Sequence, residues 1–360
     1  MKRIIVTGCG GPASIGVTRS LKKAGNYYLA GTDCNIFTLP FAETDSKHLV
    51  PKAADPDYID SLNRIIEKEK IDFLHAQPDS EVPEISKNRN KLKAKTFLPD
   101  HKTIEICQDK YKSFLLWQKS GIQQPNTILL KNETDLKAAF ELLPKPFWIR
   151  AIKGAGGKGS LIVKDFNQAK IWIDYWNGWG SFIASELLPK KLVTWQSIWK
   201  DGELICAQGR ERLSWAMGSS TVSGVSGMTG VAKTIARKDL DEIAEKSIFA
   251  IDKKPNGIFS VDLKENSSGV PCPTEINIGR FFTTIQFFAE LGLNMPDIYI
   301  KTAFGERVEV KKYNPLPPEH YWLRSADCKP LLATKKDMQK IGGQDIEKLL
   351  MPDSTVIYNV

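Results

Sequence analysis

The chain opens on a short apolar run, Arg3-Ile4-Ile5-Val6-Thr7, which breaks at Gly8-Cys9-Gly10-Gly11-Pro12. After the break Val17, Leu21 and Ala24 recur at helical spacing, predicting a helix that Gly25 closes in a left-handed conformation. A second apolar run over 27–32 ends at Asp33. Ile59, Leu62, Ile65 and Ile66 mark another helix, which leads into a strand at 71–75. A helix near 81–93 and a short strand at 96–98 continue the alternation. Strands that alternate with helices predict a parallel sheet with helices on its faces, so residues 1–105 read as a Rossmann-like α/β domain.

Beyond Pro99-Asp100 the pattern changes. A helix over about 109–120 ends at Gly121, and strands are expected at 127–130, 146–152 and 160–164. The runs 181–187, 192–199 and 203–209 are separated by short polar turns, which predicts antiparallel pairing among them. A Gly/Ser-rich stretch from Gly218 to Gly230 is followed by a strand, a helix at 238–251 and a hairpin from 257 to 277. Paired strands mixed with helices predict an α+β second domain over 106–310. Residues 311–360, with Pro315, Pro317, Pro318 and then Tyr321-Trp322, read as a tail that packs back on the body.

Composition narrows the function classes. Of 360 residues, 42% are hydrophobic and 26% charged, enough apolar side chains to build cores, which excludes a mainly disordered chain. No run approaches the ~18 apolar residues of a membrane span, so no membrane partner is expected. The basic start Met1-Lys2-Arg3 is followed by too short an apolar run for a signal peptide, and a cytoplasmic location is expected. The net charge of +8 comes from cations scattered among acids. Without a basic stripe interleaved with aromatics, no nucleic-acid partner is expected, whereas a small polyanion such as a nucleotide suits the same charge. Six cysteines without a CxxC pair read as reduced thiols, and four histidines (His48, His75, His101, His320) lack zinc-ligand spacing.

Three constellations carry chemistry. The turn Gly8–Gly16 stands between a strand and a helix, with Asp33 at the end of the second strand. Gly8, Gly10 and Gly16 do not satisfy GxGxxG, so a tight packing turn is preferred to a dinucleotide site. The loop Lys153-Gly-Ala-Gly-Gly-Lys-Gly-Ser160 lets backbone approach a bulky anion; Lys153 and Lys158 add charge, and Arg150 precedes them on a strand. It reads equally as a flexible hairpin with solvated lysines, and it is not a P-loop. In the third, the turn Asn266-Ser-Ser-Gly269 is expected to pair Asn266 with Gly269 and Asp262 with Pro273, leaving Asp262, Glu275 and Asn277 on one face. Two carboxylates and an amide oxygen favour Mg²⁺ as a partner, provided no one-residue slip separates Asp262 from the others.

The order of these motifs resembles an ATP-grasp enzyme of the carbamoyl-phosphate-synthase and biotin-carboxylase branch over about residues 1–305. The resemblance rests on TGCGGPASIGVTRSLKKAG, a helix opening at Asp109-Lys110, FWIRAIKGAGGKG, SFIASELL and FSVDLKENSSGVPCPTEINIGRF. It implies a pre-ATP-grasp Rossmann-like domain, then an ATP-grasp domain of two subdomains that clasp the nucleotide, the glycine-loop subdomain spanning about 110–187. It further implies that Lys110 and Arg150 meet the nucleotide phosphates, and that the loop with Lys153, Gly156, Gly157 and Lys158 closes over them. Glu186, Leu187 and Leu188 would line the adenine pocket. Asp262, Glu275 and Asn277 would hold one or two Mg²⁺ ions, and Arg280 the transferred phosphoryl group or the carboxylate. The stretch Glu275-Ile-Asn-Ile-Gly-Arg280 has one residue more than E-x-N-x-R, and Val193 and Thr194 stand where a second acidic hinge residue is usual.

The activity so implied is ATP-dependent coupling of a carboxylate to an amine through an acyl phosphate, with small-molecule substrates; assembly as a homodimer is left open. Arg210 and Arg212, in Arg210-Glu-Arg-Leu-Ser-Trp215, are candidates for the substrate pocket because guanidinium forks recognise carboxylates. Asp79 and Glu81 are weaker candidates for meeting the amine. Two rival readings are a non-catalytic nucleotide-binding protein of the same fold and an NAD-dependent oxidoreductase using the N-terminal turn.

Overall fold

The computed structural model describes residues 1–154, 156, 157, 159–324, 339 and 340. They form two compact units, the first over Met1–Phe97 and the second beginning at Leu98.

The first unit alternates β1 (Lys2–Thr7), α1 (Pro12–Ala24), β2 (Tyr27–Asp33), β3 (Ser46–Leu49), α2 (Tyr58–Glu69), β4 (Phe73–His75) and α3 (Glu81–Lys87). The strands make one parallel sheet in the order β3-β2-β1-β4. Ile4, Ile5 and Val6 are fully buried at its centre. Pro12 opens α1, where its missing N–H costs nothing, and Gly25 closes it at φ +79°. The glycine turn is a packing turn. A Cβ on Gly10 would stand 2.0 Å from the Thr38 carbonyl oxygen. The Asp33 carboxylate accepts the N–H of Gly10 at 3.0 Å and that of Asn35 at 2.9 Å, so it is tied to its own loop rather than offered to a ribose.

Two expectations fail here. The helix near 81–93 stops at Lys87, because Asn88 turns its amide back onto the Glu84 carbonyl and carboxylate and competes with the next helical turn. No strand forms at 96–98; the chain meets β4 at a single parallel bridge, Lys95 to Phe73. The edge strand β3 carries the polar sequence Ser-Lys-His-Leu, which gives no hydrophobic run to read.

The second unit holds two antiparallel sheets. After α4 (His101–Cys107) and α5 (Lys110–Lys119) come β5 (Thr127–Leu130), α6 (Glu133–Leu142), β6 (Phe147–Ala151), β7 (Leu161–Val163), α7 (Phe166–Tyr175) and β8 (Phe182–Glu186). The smaller sheet has the order β5-β8-β6-β7, and α6 and α7 pack on it around Leu136, Phe147, Ile149 and Ile173. The larger follows: β9 (Leu192–Lys200), β10 (Glu203–Trp215), β11 (Thr229–Ile235), α8 (Lys238–Phe249), β12 (Gly257–Glu265), β13 (Pro271–Ile278), α9 (Ile285–Glu290), α10 (Met295–Ala303) and β14 (Tyr321–Leu323). Its order is β13-β12-β9-β10-β11-β14. The run 181–187 therefore does not pair with 192–199 as expected. It crosses to the smaller sheet, where Phe182, Ile183, Ala184 and Ser185 are all buried between β5 and β6.

Residues 312–324 run along the larger sheet. The Ala207 N–H donates to the Lys312 carbonyl at 2.7 Å, and β14 adds to the edge of β11. Apart from residues 339 and 340, the rest of the expected tail lies outside the described residues. Among the described residues, no helix is long and apolar enough to cross a membrane.

Candidate active site

The hairpin β12–β13 sets the site. The Gly269 N–H donates to the Asn266 carbonyl at 2.9 Å, but the Asn266 N–H donates to Val270 at 3.0 Å, so the loop is one residue longer than expected. Gly269, at φ +83°, supplies the left-handed residue such a loop needs. Pro273 therefore faces Leu263, not Asp262. A bulge then absorbs Thr274 and adds a second shift, which brings Glu275 opposite Asp262. One shift would have turned the acids to opposite faces; two restore the alternation. The expected register is wrong, and the expected grouping of Asp262, Glu275 and Asn277 forms nonetheless.

Asp262 is held from two sides. Thr194 on β9 donates its hydroxyl to Oδ1 at 2.6 Å, and the Asn277 amide donates to Oδ2 at 3.2 Å. Arg280 donates to the Asn277 Oδ1 at 2.6 Å. The extra residue before it is Gly279, whose φ of +72° turns the chain so that Arg280 returns to the acid–amide group.

Lys110 opens α5 behind the Asp109 N-cap. Its Nζ donates to the Gly154 carbonyl at 3.0 Å and lies 3.3 Å from Glu275 Oε2. Arg150, on β6, donates to the Thr274 carbonyl at 3.1 Å. Burial by itself would raise the Glu275 carboxyl, but Lys110, Arg150 and Arg280 outweigh it and hold the group below the usual carboxylate range. Burial lowers the Arg150 guanidinium, and Glu275 and Asp262 oppose that shift.

Lys110, Arg150, Asp262, Thr274 and Glu275 border a cleft of about 330 Å³ within the second unit, whereas Asn277 and Arg280 are not among its lining residues. Gly154, Gly156 and Gly157 form part of its wall, all with positive φ. A Cβ on Gly157 would come within 2.6 Å of the Val225 carbonyl oxygen, so the glycine loop rests on the 222–228 segment. Lys153 is exposed, and Lys158 lies outside the described residues. Glu186 and Leu188 line the cleft from the hinge after β8; Leu187 is half-buried and is not among its lining residues.

The two substrate arginines divide. Arg212 lines the cleft, 3.8 Å from Asp262 Oδ1, with its guanidinium 3.8 Å from the Trp215 ring centre. Arg210 is fully buried outside the cleft lining, donating to Thr284 Oγ1 at 2.7 Å and stacked on Phe282. Burial pulls its pKa well down, and the charge of Arg212 adds to the effect. Asp79 and Glu81 belong to the first unit; Glu81 is buried, and burial pushes its carboxyl up to about 7. Sequence reasoning missed Thr194 as the partner of Asp262, Thr274 as the bulge, and Lys264, which lines the cleft two residues beyond Asp262. Period-two alternation along β12 was the signal for Lys264.

Among the described residues, no three His, Cys, Asp or Glu side chains gather as a metal cage. Two carboxylates with an amide oxygen still fit Mg²⁺, which commonly takes one or two carboxylates and completes its shell with phosphate oxygens and water.

No family model matches the chain. Among curated proteins it is 23% identical over 297 residues to formate-dependent phosphoribosylglycinamide formyltransferase from Francisella tularensis subsp. novicida (strain U112), covering 76% of this chain and 75% of the relative. Among solved structures it is similar to N5-carboxyaminoimidazole synthetase from Staphylococcus aureus complexed with ADP, with a TM-score of 0.66 at 18% identity over 88% of this chain and 80% of that one. It is also similar to a biotin carboxylase–β-γ-ATP complex from Campylobacter jejuni, with a TM-score of 0.67 at 16% identity over 85% and 72%. The chain has the ATP-grasp fold. Within that ATP-grasp architecture, the Asp262–Glu275 pair lies on the larger sheet, and Arg150 reaches it from the smaller one.

Proposed function

We propose that this ATP-grasp protein is a Mg²⁺- and ATP-dependent ligase that activates a carboxylate as an acyl phosphate and couples it to an amine. The observation that carries the reading is Glu275 facing Asp262 across the hairpin, with Lys110, Arg150 and Arg280 around the pair and a glycine loop beside it. Anions and cations alternate there at short range, an arrangement suited to phosphates and a divalent ion rather than to a hydrocarbon ligand.

In this reading Glu186 and Leu188 hold the base, and Lys110 and Arg150 neutralise the β- and γ-phosphates. Asp262, Glu275 and Asn277 would hold Mg²⁺, which supplies charge neutralisation on the phosphate oxygens. A substrate carboxylate oxygen attacks the γ-phosphorus, the bond to the β-bridging oxygen breaks, and ADP leaves. The amine nitrogen then attacks the acyl carbon, phosphate departs with the C–O bonding pair, and the nitrogen loses a proton. No side-chain nucleophile is required; the protein orients the reactants and stabilises developing charge. Arg212, open to the cleft, is the nearer of the two arginines for receiving the acid. The same reading puts the enzyme in the cytoplasm with small-molecule partners.

The test combines the protein with Mg²⁺, ATP, a pool of amino and small organic acids, and hydroxylamine, with ADP and hydroxamate measured together. The expected outcome is stoichiometric ADP and hydroxamate, falling at least ~100-fold in Glu275→Gln. ADP without hydroxamate would reject the acyl phosphate. ATP binding without turnover on any acid would favour the non-catalytic rival.

A further inference from the structure

The segment 216–228, which joins β10 to β11, is not used by the ligase chemistry and carries no charged side chain. Its ends are tied together: the Ala216 N–H donates to the Met228 carbonyl at 2.8 Å, and the Ser226 hydroxyl donates to the Ala216 carbonyl. Within it, the Thr221 N–H donates to the Gly218 carbonyl and the Gly224 N–H to that of Thr221, both at 3.1 Å. The segment is thus a closed loop folded on itself. Ser223, Gly224 and Val225 line the cleft, and Trp215, at the base of the loop, faces the Arg212 guanidinium.

The glycine loop meets this segment backbone to backbone. A Cβ on Gly227 would stand 2.7 Å from the Gly156 Cα, and one on Gly157 2.6 Å from the Val225 carbonyl oxygen. Neither approach leaves room for a side chain, a stricter requirement than the φ of +72° at Gly227. Gly224, at φ +73°, needs glycine for its conformation alone, since nothing lies within 4 Å of a Cβ there. The two partners belong to different sheets: the glycine loop joins β6 to β7, and 216–228 joins β10 to β11. On its own sheet the stem of the glycine loop is held by Trp172, whose indole N–H donates to the Gly159 carbonyl at 3.0 Å. Backbones packed this closely transmit a small displacement of one to the other.

We propose that Gly227 and Val225 are positioning residues through which the glycine loop moves the 216–228 segment, coupling the nucleotide to the acid. The proposal rests on the nucleotide reading of the cleft. β- and γ-phosphates that draw in the backbone of Gly156 and Gly157 carry Gly227 and Val225 with them. Trp215, at the base of the segment, is thereby set against Arg212, which receives the acid. Because coupling between binding sites is reciprocal, an acid on Arg212 tightens the hold on the nucleotide in the same proportion. AMP, which lacks both phosphates, has no such effect.

Amide hydrogen exchange of the full chain, read by mass spectrometry with Mg²⁺ and saturating β,γ-imido-ATP or AMP, tests this, and calorimetric titration reports whether each binds. β,γ-imido-ATP should slow exchange ~10-fold or more in both the glycine loop and 216–228, and AMP in neither. Gly227→Ala should lose the protection of 216–228 while keeping that of the glycine loop. Gly224→Ala strains the backbone to the same degree without touching the glycine loop, and should keep both. Slowing of only one of the two segments in wild type overturns the coupling, as does slowing of neither with β,γ-imido-ATP bound. Protection lost in Gly224→Ala as fully as in Gly227→Ala assigns the effect to the segment's own conformation and also overturns it. So does full protection retained in Gly227→Ala, or equal slowing with AMP. If β,γ-imido-ATP does not bind, the nucleotide reading itself fails.

Discussion

Single side chains in this protein differ most in what burial does to their protons. Glu81, in the first unit, has its carboxyl raised to about 7 by burial, which the Thr7 and Tyr58 hydroxyls beside it only partly offset. Between the ordinary glutamate value and 7, the folded state holds more protons than the unfolded one, so stability falls as pH rises. The contribution is complete below the ordinary value and lost above about 7. Buried His75, lowered to about 4, acts in the opposite sense, losing stability as pH falls below the ordinary histidine value. Glu81→Gln should therefore make the first unit more stable than wild type at pH 8, relative to pH 4, on the order of 3 kcal/mol. Urea unfolding followed by circular dichroism at the two pH values measures the difference. Equal shifts at both would show that Glu81 ionises freely in the fold.

At the scale of elements, the hairpin β12–β13 decides whether the site exists. Thr274 is the residue that the bulge absorbs, and its hydroxyl donates to the Asp262 carbonyl at 3.0 Å. Deleting Thr274 removes the extra residue, so that Glu275 follows Pro273 directly and still pairs with Asp262, now in an unbulged ladder. That deletion should therefore retain ATP binding, and Thr274→Val, which keeps the chain length but loses the hydroxyl donor, should cost about 1 kcal/mol of stability and retain binding as well. Calorimetric titration with ATP checks both, and binding lost in the deletion would show that the local twist of the bulge, and not the pairing alone, sets the site. The hairpin's existence and ends, and the shared face of Glu275 and Asn277, were readable from alternation and from Asn266-Ser-Ser-Gly269. Its register was not, because a bulge leaves no period in the sequence. Nor was the partner sheet of 181–187, since an apolar run of that length pairs equally well in either sheet.

Across the whole molecule, all nine tryptophans, from Trp117 to Trp322, fall in the second unit, and Met1–Phe97 contains none. Tryptophan fluorescence therefore reports that unit alone, while circular dichroism reports both. Saturating Mg²⁺–ATP should raise the fluorescence-detected transition, by about 2.7 kcal/mol at a hundredfold excess over Kd. A dichroism component not tracked by fluorescence should stay where it was. One coincident transition that moves as a whole would show that the units unfold together. The sequence alone determined the alternating first unit, the antiparallel second unit, the glycine loop, and the acids and cations available to line the cleft. Those features follow from period, turn residues and side-chain type, all local properties. Tertiary structure decided that Arg212 reaches the cleft and Arg210 does not, that Arg280 turns back onto Asn277, that Asp33 is tied to its own loop, and that Lys264 has no partner among the described residues. The return of Arg280 onto Asn277 depends on the left-handed turn at Gly279, and the others depend on contacts between residues far apart in the chain, which no spacing along it encodes.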